Sequence, residues 1–117
     1  MFKIEQIAKD AIKITATQRL SAESFSEIAA LADPIIGENG QIRVLIDVTA
    51  LQGWENFAAF KRHLGFVASH QGFVLRLAII TSRAWQRALA KMAGLFLHPD
   101  IRAFSPRDAG AACRWLL

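Results

Sequence analysis

Two short runs of aliphatic and β-branched residues, IRVLIDV at 42–48 and VLRLAII at 74–80, constrain this chain more than anything else in it. A strand with one wet face alternates polar with apolar; these barely do, and near-continuous apolar strands belong to sheets covered on both faces by helices. Such strands are parallel, and the residues between them, 49–73, are enough for a helical return. The fold class that follows is α/β.

The remaining elements fit around that pair. Phe2 and Ile4, then Ile12, Ile14 and Ala16, alternate with Lys3, Glu5, Lys13 and Thr15 on either side of a polar Lys9-Asp10 turn, which predicts an antiparallel hairpin. Ser21 is a good N-cap for a first helix whose apolar residues run from Phe25 to Ile36. Pro34 is expected to kink its last turns, and Gly37 with Gly40 to close it. A second helix is expected from about Glu55 to His70, with Gly53-Trp54 as its opening, and a third from an N-cap at Ser82 to about Leu97, ended by Pro99. Ile101 to Phe104 reads as a brief strand. Ser105-Pro106-Arg107-Asp108 then starts a terminal helix through Trp115.

The expected order is β-β-α-β-α-β-α-β-α: a mixed sheet with parallel central strands, entered by a hairpin and joined by right-handed crossovers into a sandwich. A chain of 117 residues without repeat or linker is expected to form one domain over 1–117.

No apolar run approaches the roughly 18 to 20 residues that crossing a bilayer demands. The single Cys113 excludes an internal disulfide framework, so a reducing cytoplasm fits best. The net charge of +4 is concentrated in the C-terminal half, which suggests an anionic partner; nucleic acid fits least, because no reading motif accompanies the bases.

The third predicted helix is the most informative stretch. At 100° steps, Arg83, Arg87 and Lys91 fall on one narrow stripe and Trp85, Leu89, Met92 and Phe96 on another, flanked by alanines and leucines until the apolar arc covers about two-thirds of the circumference. One sheet cannot cover that much, so the excess must face a helix, a ligand, a second subunit or a membrane. The second helix carries Phe57, Phe60, Leu64 and Val67 on one face. In open sheets, ligands settle beyond the carboxyl ends of parallel strands. The expected site is therefore an apolar cleft between helices two and three, lined by Trp54, Phe57, Phe60, Leu64, Trp85, Leu89, Met92 and Phe96. Asp47, Thr49 and Ser82 would stand at its polar end, and Arg83, Arg87 and Lys91 would meet an anionic membrane. The plainer readings make Asp47 a turn residue accepting nearby N–H groups and Ser82 a helix cap.

Catalysis has little support. His63 and His70 stand about 10 Å apart along a helix, too far to share a metal. Cys113 has no neighbouring histidine, and no phosphate-binding, nucleophile-elbow, zinc or dinucleotide motif is present. No metal, cofactor or enzymatic activity is expected.

In this element order, the segments KITATQRLSAESF, IRVLIDVTALQGW, LAIITSRAWQRALAKMAGLF and IRAFSPRDAGAACRWL resemble the SpoIIAA-like family over essentially the whole chain. That family is related to STAS domains (sulphate transporter and anti-sigma factor antagonist) and is similar in fold to the CRAL-TRIO lipid-binding domain. The resemblance implies a small bacterial, non-enzymatic protein that binds a lipid-like or other amphiphilic molecule and associates peripherally with the inner face of the membrane. A homodimer stays open, and a STAS-type regulatory module acting on a protein partner is the alternative. STAS antagonists carry a phosphorylatable serine in an Asp-Ser-Ser-Gly turn, and the matching stretch here, LQGWENF, has none. The phosphoserine switch is therefore not expected.

Overall fold

In the computed structural model, which describes residues 2–54 and 56–117 but not the side chains of Phe2, Gln18, Gln52, Trp54 and Phe60, five strands form one sheet in the order of the sequence. β1 (Phe2–Ala8) and β2 (Ala11–Leu20) make the antiparallel hairpin, and β3 (Ile42–Trp54), β4 (Val74–Ile80) and β5 (Asp100–Phe104) add in parallel. The helices are α1 (Ala22–Asn39), α2 (Phe57–His70), α3 (Ala84–Ala93) and α4 (Ala109–Leu116). The expected element order and mixed sheet are thus present.

Each crossover from β2 through β5 steps to the next strand in the same direction, and right-handed crossovers then carry all their helices to one face. α1 seals its part of that face with Phe25, Ile28, Ala32 and Ile35 against Ile12, Ile14, Ile42 and Val44, while Phe66 of α2 packs on the margin of the same cluster. α3 rides above β5, so close that a Cβ on Gly94 would lie 3.7 Å from the Ile101 side chain. α4 alone covers the other face, with Ala112 and Leu116 against Leu45, Ala78 and Ile80. There Trp115 has the guanidinium groups of Arg76 and Arg102 near its ring, 5.7 and 5.9 Å from the centroid.

Several boundaries differ from expectation. α1 continues past Pro34 to Asn39, and it is Gly40 that ends it, at φ 75°, with its N–H donating to Ile36 O. Gly37 terminates nothing. Gly53 does not open α2: β3 continues to Trp54, because the register against β2 slips between Gln18 and Arg19 and Gly53 takes φ 115°, a bulge that needs a glycine. The cap of α2 is Asn56, whose side chain accepts the Ala59 N–H at 2.9 Å. The terminal helix opens with a 3-10 turn at Pro106–Asp108, where Ser105 Oγ donates to Asp108 Oδ2.

One polar clamp ties the hairpin to the sheet and to α4. Arg43 Nε donates to Asp10 Oδ2 at 3.2 Å and its terminal nitrogens reach Asp10 Oδ1 and the carbonyls of Leu116 and Leu117. The guanidinium holds the Asp10 carboxyl below its ordinary range, against the opposing effect of burial. A carboxyl with a lowered folded pKa stabilises fully above its unfolded value, near pH 4, and loses that contribution as pH falls through the lowered one. Asp10→Asn is therefore expected to lower the urea midpoint at pH 7 and to weaken the drop in wild-type stability between pH 4 and pH 2, both read by circular dichroism.

Candidate functional site

α3 is oriented by polar contacts rather than by its large apolar side chains. β4 ends at Ile80, and the next residue, Thr81, is fully buried, its N–H donating to Phe104 O. Its hydroxyl donates to Gln86 Oε1 and accepts the Arg83 N–H at 3.2 Å. Arg87 reaches back from the next turn to donate to Thr81 O at 3.0 Å, and Arg83 donates to Leu51 O at 2.9 Å. These donors satisfy backbone carbonyls that the parallel ladder leaves open at its C-terminal end, where an unpaired buried group would cost about 1–3 kcal/mol. The N-cap residue is Arg83, not Ser82 as expected; Ser82 is exposed, and the hydroxyl at this end of the helix is that of Thr81.

That anchoring turns Gln86, Arg87, Ala90, Ala93 and Gly94 inward and the predicted apolar stripe outward. Trp85 is 60% exposed, Leu89 53%, Met92 57% and Phe96 82%, with Leu95 beside them at 79%. α3 ends at Ala93, and the turn that follows, in which Gly94 N–H donates to Ala90 O, Leu95 N–H to Met92 O and Phe96 N–H to Ala93 O, leaves Leu95 and Phe96 in solvent next to the stripe. Leaving a large apolar side chain in water forgoes roughly 1.5–3 kcal/mol relative to burying it. Four in one file is a patch that single surface leucines do not explain.

The other predicted residues are dispersed. Phe57 and Leu64 on α2 are more than half exposed, and the predicted contributions of the Trp54 and Phe60 side chains fall outside the described residues. Asp47 alternates with Ile46 and so belongs with Arg43 and Leu45 to the α4 face of the sheet, whereas α2 and α3 lie on the other. Its Oδ1 accepts the N–H of Thr49 at 2.9 Å, the plain turn role weighed for it above. Of the basic stripe, Lys91 and Arg83 are exposed and Arg87 is half-buried, and Arg83 and Arg87 each spend a guanidinium nitrogen on a backbone carbonyl. Sequence reasoning missed this last arrangement, because hydrogen bonds to strand-end carbonyls leave no periodic signal.

A groove of about 520 Å³ that the described residues form lies between α1 and α2, with Phe25 and Phe66 as its apolar part and Lys61, Arg62, Ser69 and His70 among its polar lining. It is wide open, and its polar groups already have partners. Arg62 donates to Ser26 Oγ at 3.0 Å, His70 Nε2 meets Asp33 Oδ1 at 2.9 Å, and the His70 ring stacks on Phe66 with centroids 4.1 Å apart. Beneath it His63 sits against the Phe25 ring at 5.3 Å, and burial pushes its pKa down. Among the described residues there is no group of three or more His, Cys, Asp or Glu side chains placed to hold a metal, and no helix is long and apolar enough to cross a membrane.

With this geometry in view, comparison with known proteins is informative. The SpoIIAA-like family model matches residues 11–117. The chain belongs to the SpoIIAA-like family. A crystal structure of an uncharacterized protein with a SpoIIAA-like fold from Shewanella loihica PV-4 is 25% identical, over 100% of this chain and 93% of that one, with a TM-score of 0.80. The anti-sigma factor antagonist SpoIIAA in its unphosphorylated form is similar at 13% identity, covering 97% of this chain and 98% of that one, with a TM-score of 0.60. The Bacillus cell fate determinant SpoIIAA in its phosphorylated form is similar at 14% identity, over 97% and 100%, with a TM-score of 0.61. These last two likenesses establish a shared fold. No curated protein matches the chain in sequence.

Two outcomes test the site as built. Thr81→Val removes a buried hydroxyl that serves both Gln86 and Arg83; it is expected to destabilise the protein by about 1–3 kcal/mol and to speed amide hydrogen exchange in α3 more than in α1. For His63, whose folded pKa lies below its unfolded one, the unfolded chain binds the extra proton first. Its contribution is therefore complete above about pH 6.5 and is lost as pH falls from there toward the lowered value. Thermal denaturation between pH 7 and pH 5 is expected to show that loss, reduced in His63→Phe.

Proposed function

We propose that this protein is a STAS-type regulatory interaction module without a phosphoserine switch and without catalytic activity of its own, and that it meets a protein partner through α3. One observation carries the reading: α3 is locked by Thr81, Arg83 and Arg87 in the orientation that puts Trp85, Leu89, Met92 and Phe96 into solvent. A rigid helix that presents an apolar file is a preformed docking surface, and preorganisation reduces the entropic cost of binding. Membership of the SpoIIAA-like family supports the same reading, as does the fold shared with a protein named as an anti-sigma factor antagonist. The serine-free stretch LQGWENF is the reason to exclude the phosphoserine switch.

The apolar-ligand reading drawn from the sequence has less behind it. A small-molecule site buries 70% or more of its ligand, roughly, and the described lining residues of the expected cleft lie more than half exposed. Peripheral membrane contact through the basic stripe has less behind it too, since two of its three cations already donate to backbone carbonyls.

The test uses a photo-crosslinking amino acid at Met92 and, as a control on the opposite face, at Arg114, in cells that produce the protein natively. A discrete protein adduct from position 92, lost in Leu89→Asp and not formed from position 114, is the expected result. Equal adducts from both positions, or none from 92, would overturn the reading. Because Leu89 is exposed, Leu89→Asp should leave stability within about 0.5 kcal/mol of wild type.

A further inference from the structure

The chemistry of the docking partner can be read from what surrounds the file on α3. Trp85, Leu89, Met92 and Phe96 are spaced 4, 3 and 4 residues apart. That is the a/d spacing of a helix-pairing seam, where each side chain inserts into a hole on a facing helix. Exposed Ala84 and Ala88 lie beside it, small enough for a partner backbone to come close. Taking roughly 200 Å² for a large side chain, the five exposed apolar residues of α3 and the turn after it present on the order of 650 Å², near the ~800 Å² that each side of a standard protein interface contributes.

The charge around the seam has one sign. From Asn56 to Pro99 the chain contains no aspartate or glutamate, while the third helix and its cap supply Arg83, Arg87 and Lys91. Two copies meeting through this face would bring two such cationic fields within a Debye length of about 8 Å, where like charges repel. A bilayer would need cations that extend past the apolar file toward headgroups, whereas Arg87 is half-buried on Thr81 O and the exposed Arg83 is tied to Leu51 O. A helix with an apolar seam and carboxylates on its flanks meets both requirements, since its leucines fill the file and its acids face fixed positive charge.

Resting on the reading of α3 as a docking surface, we propose that the partner presents an acidic amphipathic helix, which lies along α3 with its apolar seam on Trp85, Leu89, Met92 and Phe96 and its carboxylates toward Lys91 and the exposed Arg83. The experiment titrates the whole protein, by isothermal calorimetry and amide chemical-shift mapping, with designed peptides of about three heptads. One has leucine at the seam positions and glutamate on the flanks, and its counterpart has lysine there. The acidic peptide is expected to bind at least tenfold more tightly than the basic one, with shifts centred on residues 84–97. Its affinity should fall at least tenfold in Leu89→Asp and several-fold in Lys91→Glu or when salt rises from 0.05 to 0.5 M. Equal binding of the two peptides, or acidic-peptide binding that ignores both substitutions, overturns the proposal. So does Leu89-dependent binding to phosphatidylglycerol vesicles without peptide binding, which would make the occupant a membrane. A concentration-dependent dimer in sedimentation that Leu89→Asp abolishes would make it a second copy. A protein adduct from position 92 alongside failure of the acidic peptide would leave α3 as a docking helix and sink only the partner chemistry assigned here.

Discussion

Handedness governs this structure. Because a right-twisted strand and a right-handed helix return to a sheet in one sense only, a strand order that advances steadily from β2 to β5 sends α1, α2 and α3 to the same face and leaves the other to α4. The consequence falls on the last helix of the row. α1 has α2 beside it, whereas α3 stands over β5, the edge strand, and no further strand extends the sheet beneath its outer side. Its outer surface is left to the solvent by topology, whatever residues occupy it.

The chain could have put the alternative stripe there. It does not, because the strand ends beneath α3 need donors and α3 meets β5 through its small residues. Thr81, Arg83, Gln86 and Arg87 close the polar groups at the end of β4, and Ala90 and Gly94 fit over β5 where Ile101 comes close. Once those contacts are satisfied, the helical period leaves Trp85, Leu89, Met92 and Phe96 on the far side. The stability forgone by four exposed apolar side chains, roughly 1.5–3 kcal/mol each, is the physical motive for treating the surface as functional. A helix held by its polar residues with its apolar residues outward inverts the usual amphipathic arrangement. The likeness to SpoIIAA is one of fold, and in the reading proposed here regulation resides in which partner reaches α3.

Much of the fold was legible from local pattern. The runs 42–48 and 74–80 announced parallel strands through their lack of alternation, Ile12 and Ile14 announced the hairpin through its presence, and Gly40 carried the C-terminal signal that closes α1. The errors sit where local preference was overruled. Gly53 marks a bulge inside a long strand instead of a helix start, because pairing with β2 continues past the point where the apolar run stops. The candidate site was legible in composition and not in direction. The excess of apolar surface on the third helix follows from counting residues around a wheel; that it looks away from α2 and the sheet does not.

By itself, then, the sequence determined the order and type of the elements, the family, and the existence of an apolar file with 4-3-4 spacing, since all of these depend on residues near one another in the chain. Only the tertiary structure decided which third of α3 the sheet would take. That choice was made by contacts to Leu51 of β3, to Ile101 of β5 and to Thr81, which follows β4 and is held by Phe104; these have no common period with the helix they orient.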